Sequence, residues 1–248
     1  MTPIAAGLLA LLMVATATLS GVFGMAGGMI LIGVLLVALP VPAAMVLHAV
    51  TQMASNAWRA VLWWRHIAWA TTAAYVAGCV VALGLWSIVL WVPDKGVALL
   101  VLGLSPFIVR ALPDRILPRA MTWRHAAGGG VACMMLMLVT GVTGPLLDQL
   151  FLRSGLERRT IVATKASCQV FGHSFKLLYF GGLVADAGRV ELWVLALAVA
   201  ASMLGTTLGK LLLEKLTEAQ FRRWAERIIA ALGLWYVGHG VALLSGVL

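Results

Sequence analysis

Two apolar stretches of the chain carry the same unusual load of polar side chains. In the first, His48, Gln52, Ser55, Asn56 and Arg59 fall at i, i+4, i+7, i+8 and i+11. At 100° per residue these positions form one stripe along a helix. In the second, Lys165, Gln169, Gly172, His173 and Lys176 repeat the stripe. The residue types are amides, imidazoles and cations, with no carboxylate among them. Fixed hydrogen-bond donors beside positive charge are what an oxyanion needs. A cation site would instead need carboxylates or rings of carbonyls. Candidate binding residues are therefore Gln52, Asn56, Arg59, Gln169, His173 and Lys176.

Each stripe also has a plainer reading. Arg59 and Lys176 could snorkel to an interface, with Trp58, Trp63 and Trp64 forming an aromatic belt near Arg59. Gln52 and Gln169 could act as helix–helix glue, and His173 could be a core histidine. The recurrence of polar residues at matched positions in two stretches favours the functional reading.

The stripes sit on elements that hydropathy sets out. Apolar segments fall at about 4–22, 29–39, 43–64, 68–91, 97–111, 124–143, 145–153, 159–181, 190–213 and 226–246. Those at 29–39 and 145–153 are too short to span, and each follows a break: SGVFGMAGGM at 20–29 and TGVTGP at 140–145. Gly frees the backbone and Pro removes an N–H, so both interrupt helices. Broken backbone at membrane depth is tolerated where protein or a water-filled cavity covers it. These segments are expected to form short hairpin arms. The free N–H groups at the start of each arm would favour an anion, which adds Gly24, Gly27, Gly28 and Gly144 to the candidate site. Asp148, on the second arm, is a candidate coupling acid. Its alternatives are a salt bridge to Lys165 or Arg153, or a local cap. His48 and Lys165 complete the coupling candidates.

The stretch 112–123, with Pro113, Pro118, Arg115 and Arg119, divides the chain into a first repeat, 1–111, and a second, 124–248. Ser20-Gly21-Val22-Phe23-Gly24 matches Thr140-Gly141-Val142-Thr143-Gly144 at an offset of 120. At an offset of 117, His48 faces Lys165, Gln52 faces Gln169, Asn56 faces His173 and Arg59 faces Lys176. Placing the basic stretches 110–124 and 210–227 in the cytoplasm puts both termini outside. Five elements per half, an odd number, then invert the second repeat relative to the first, the architecture of secondary transporters. The expected fold is an all-α polytopic membrane protein.

Composition agrees. Of 248 residues 62% are hydrophobic and 11% charged, and mean hydropathy is +1.01, which excludes a soluble or disordered domain. The net charge of +9 is read as positive-inside bias rather than nucleic-acid binding. Cys79, Cys133 and Cys168 show no CxxC or metal spacing and are read as packing residues. There is no HExxH, P-loop, GxSxG or carboxylate pair, so neither an enzyme nor a metal or cofactor site is expected. Haem ligation by His48 and His173 is the remaining non-transport alternative.

LSGVFGMAGGMILIG, PVPAAMVLHAVTQMASNAWRAVLWWRHIAW and the repeat TGVTGPLLDQLFL…TIVATKASCQVFGHSFKLLYF together resemble the TauE/SafE family of sulfite exporters. Gly24, Gly27 and Gly28 remain of the family's tighter glycine run, which Ala26 interrupts. Pro145-Leu146-Leu147-Asp148 replaces the glycines in the second half. The resemblance implies a multi-pass transporter of sulfite, organosulfonates or related sulfur anions in a bacterial inner membrane. Protons are the candidate coupling ion and a homo-oligomer is a candidate assembly. A passive anion channel is the other reading of the same features.

Overall fold

A computed structural model describes residues 3–23, 26–113, 120–152, 154–184, 190–213 and 218–247. The described residues fold into helices α1 (Pro3–Phe23), α2 (Ala26–Ala38), α3 (Val41–Leu62), α4 (Trp69–Val89), α5 (Lys95–Arg110), α6 (Trp123–Thr140), α7 (Gly144–Leu152), α8 (Arg158–Leu178), α9 (Leu192–Leu213) and α10 (Glu218–Leu244), with no strand among them. Every expected apolar segment is a helix, and the chain is an all-α membrane protein.

Helices α1, α4, α9 and α10 are long and apolar enough to cross a bilayer. Helix α2 has 13 residues and α7 has nine. At 1.5 Å per residue these reach roughly 20 and 14 Å, short of the ~30 Å hydrocarbon core. Neither arm is long enough by itself to cross that core.

Both breaks lie where the sequence puts them. Helix α6 stops because Gly141 turns into the left-handed region, at φ 82°. Residues 24 and 25, at the first break, lie outside the described residues. Helix α2 then folds back so tightly that a Cβ at Gly27 would stand 1.8 Å from the Thr16 carbonyl of α1. Only glycine fits there.

Packing is organised in pairs. Helix α1 lies on α9, α4 on α6, α5 on α10, and α3 on α8 at the centre. Numbering the second half from α6 and exchanging halves turns α1–α9 into α6–α4 and maps α3–α8 and α5–α10 onto themselves. The side contacts α3–α9 and α8–α4 exchange as well. The two stripes thus meet face to face, each flanked by the break of its own half.

The basic 210–227 stretch is not a loop throughout. Helix α10 begins at Glu218, so Arg222 and Arg223 belong to a part of it that precedes its apolar window, Glu226–Leu244. Hydropathy marks only the part of a helix inside the lipid, and charged turns extend it outward.

Candidate functional site

Between α3 and α8, at the two breaks, lies a small polar cavity. It is lined by Ser20, Gly28, Gln52, Asn56, Arg59, Val142, Thr143, Gly144, Gln169 and His173. Its free volume is ≈ 20 Å³, room for about one water. Both halves contribute, and the matched pairs Gln52/Gln169 and Asn56/His173 all reach it. No carboxylate lines it, and Arg59 is its cation.

The lining is rich in unused hydrogen-bonding capacity. Five buried side-chain polar atoms among the described residues have no partner, and three of them belong here: Ser20 Oγ, Thr143 Oγ1 and His173 Nδ1. An unpaired buried polar group is costly, so their convergence marks a place where something else supplies the partner. The side-chain amides of Gln52 and Gln169 likewise make no hydrogen bond with other described residues, although Gln52 packs against Gly28. Glue residues would be bonded across helices. Thr143 precedes α7, and Gly144, the first residue of α7, lines the cavity as well.

Arg59 reaches into this space on loose tethers. Its Nη1–H points at Asn56 Oδ1 over 3.5 Å and its Nη2–H at the Ser20 carbonyl over 3.4 Å, both at the weak end for hydrogen bonds. Asn56 is aimed by its own Nδ2–H, which donates to the Gln52 carbonyl at 2.9 Å. Arg59 is partly buried and lies over the last turn of α1, where the helix dipole favours a cation.

Lys176, the matched cation, does not line the cavity. It is fully buried and donates to the Gly141 carbonyl at 2.9 Å and to His48 Nδ1 at 2.7 Å. The other imidazole nitrogen of His48 donates to the Gly28 carbonyl at 3.0 Å. A carbonyl only accepts, so Nε2 carries the hydrogen and Nδ1 is the acceptor in the neutral ring. The His48 ring meets His173 edge-on at 5.5 Å between centroids. His48 thus stands behind the cavity wall, with both nitrogens engaged. That removes it as a free haem ligand.

Asp148 is paired with Lys165, on the side of α7 facing α8, and both side chains are partly exposed, 34% and 25%. Neither lines the cavity. Gln52, Asn56, Arg59, Gln169, His173, Gly28 and Gly144 are brought together; Gly27 faces α1 instead, and Gly24 lies outside the described residues. Ser20 and Thr143 went unselected as site residues, because single hydroxyls are common on membrane helices. The signal that could have found them is the SGVFG/TGVTG match, which contains both.

A sequence model of one family, described as Sulfite exporter TauE/SafE, matches residues 8–236. The chain belongs to that family. Neither a curated protein nor a solved structure matches it. For a TauE/SafE-family membrane transporter, a cavity shared between both halves, cationic and free of carboxylates, lies where the two broken helices converge.

Proposed function

We propose that the protein is a secondary transporter of a small sulfur oxyanion, sulfite or the head group of an organosulfonate. The carrying observation is the convergence, on one cavity without a carboxylate, of Arg59, three buried polar atoms and two glutamine amides that have no hydrogen bond to other described residues. A trigonal or tetrahedral oxyanion accepts several hydrogen bonds at once, and these donors come from four sides. At ≈ 20 Å³ the cavity is narrow, and in this reading the anion enters as α3 and α8, or the two arms, move apart. Alternating access by one half rocking on the other supplies that movement.

The exchange-invariant packing of the helices supports an inverted repeat of 1–111 and 124–248 about the linker 112–123. In a bacterial inner membrane the basic ends would face the cytoplasm and both termini the outside. A cysteine replacing Asp94 should then react with an impermeant thiol reagent from outside and one replacing Arg119 should not. The native Cys79, Cys133 and Cys168 are buried, so background labelling is low. The reverse pattern would invert the orientation.

The substrate class is tested by a thermal-shift panel in detergent with sulfite, thiosulfate, sulfate, methanesulfonate and acetate. A ligand that binds the folded state raises the melting temperature by mass action. Sulfur oxyanions should stabilise and acetate should not. Equal shifts from all five would reduce the site to a generic anion sink, and none would remove the anion reading. Accumulation of the bound anion against its electrochemical gradient in proteoliposomes separates the carrier from a passive channel.

A further inference from the structure

We infer that Lys176 and His48 together form a binding site for one proton, taken up with the anion. The inference rests on the anion reading of the cavity and adds to it the coupling ion and its seat.

The geometry admits one excess proton and no more. Lys176 Nζ lies 2.7 Å from His48 Nδ1 and 2.9 Å from the Gly141 carbonyl, while His48 Nε2–H is committed to the Gly28 carbonyl. With the proton on lysine, the ammonium donates to Nδ1 and to Gly141. With the proton moved to Nδ1, the amine lone pair accepts from Nδ1–H and an amine hydrogen still reaches Gly141. With no excess proton, the neutral amine donates to both. All three arrangements use the same heavy-atom positions. Two excess protons would set N–H against N–H across 2.7 Å, which the pair excludes.

The surroundings leave the charge uncompensated. The contacts of the Lys176 head are His48 of α3 and the carbonyl of Gly141, with no carboxylate among them. His173, on α8 itself, is the other titratable group interacting with it. On α4, the Tyr75 hydroxyl faces Gly172, one turn from Lys176, with Cys79 and Cys133 near Tyr75. Asp148 of α7 is occupied by Lys165. A buried cation with no acid beside it has one natural counter-charge, the anion in the cavity one imidazole away. The His48 and His173 rings touch, and His173 lines the cavity.

Position makes the pair responsive to the transport cycle. Lys176 of α8 and Gly141 after α6 belong to the second half, while His48 of α3 and Gly28 of α2 belong to the first. Any rocking of one half on the other stretches the Lys176–His48 link and changes the pair's hold on its proton. By linkage, a proton that strengthens anion binding must be bound more tightly when the anion is present. A monoanion and its proton then move in one direction without net charge.

The test is calorimetric titration of the detergent-solubilised full chain with methanesulfonate and with sulfate, whose charges do not change between pH 5.5 and 8.5. Buffers of different ionisation enthalpy give the number of protons taken up. Affinity should fall about tenfold from the acid to the alkaline end, with uptake approaching one proton per anion in between. Lys176→Arg, a permanent cation, should hold the acid-end affinity at every pH and take up none. Lys176→Gln should sit at the alkaline-end affinity throughout. Binding by the unmodified chain with no proton uptake, or undiminished uptake by Lys176→Arg, would overturn the inference while leaving the anion site standing. The unmodified chain decides whether a proton is taken up with the anion, and Lys176→Arg decides whether this pair holds it. Absence of binding by either anion would overturn both readings together.

Discussion

Arg59 and Lys176 occupy matched positions at the ends of two matched stripes, yet the fold uses them in opposite ways. Arg59 is held over 3.4 and 3.5 Å at the cavity, and Lys176 is locked at 2.7 and 2.9 Å behind it. Both cations lie over the C-terminal end of the helix that leads into their half's break, Ser20 of α1 and Gly141 after α6. The difference lies in what stands beside them. Arg59 has an amide and a carbonyl at long range, and its fork keeps donors free for a ligand. Lys176 finds an imidazole acceptor contributed by the opposite half. A repeat in sequence therefore fixes where a cation is placed, while the neighbour from the other half decides whether its donors stay free or are sequestered.

The largest effect that would break the contrast is on binding at Arg59. Arg59→Gln should weaken anion binding by about 1.5–3 kcal/mol, the scale of a hydrogen bond to a charged group, with the melting temperature nearly unchanged. An intact affinity measured by titration would mean that Arg59 only reaches for the interface. Lys176→Met should show the complementary pattern. It leaves the Gly141 carbonyl and His48 Nδ1 buried without a donor, and each orphaned group costs about 1–3 kcal/mol. Its melting temperature should drop clearly, which differential scanning fluorimetry would read; an unchanged value would mean the lysine is not structurally engaged.

Gln52→Ala and Gln169→Ala should come next, each weakening the anion by about 1 kcal/mol while leaving stability alone. Loss of stability with affinity intact would return both to the role of helix glue. The smallest effect is expected at Asp148→Asn. Its pair with Lys165 is a quarter to a third exposed, and such pairs contribute about 0–1 kcal/mol. Loss of proton-driven accumulation by this variant, with binding intact, would instead make Asp148 the coupling group and displace Lys176 from that role.

Most of the scaffold was legible in the sequence because lipid imposes it. Apolar run length located the ten α-helices of the described residues, and the Gly and Pro breaks located the arms. The ends were less legible where the controlling force is not hydropathy: α10 starts at Glu218 rather than near 226, because helix continues in water after apolarity stops. Of the cavity lining, the periodic polar stripes announced Gln52, Asn56, Arg59, Gln169 and His173. Lys176 was expected with them, since 3.6-residue periodicity puts it on the same face. Its removal to His48 depends on a contact across 128 residues, which no local pattern encodes. Lys165 and Asp148 pair at the positions that match His48 and Gly28 under the offsets of 117 and 120. The halves thus preserve the contact and exchange its chemistry.

A cavity reduced to ≈ 20 Å³ has a consequence for the bilayer as an insulator. Each elementary charge crossing 100 mV carries about 2.3 kcal/mol, so a standing wet pathway lined with donors would dissipate the voltage and short-circuit the cell. Instead, the donors of both halves converge on a space with room for about one water between the two broken helices. In the transporter proposed above, tightness at rest and passage on demand would then come from the same few side chains.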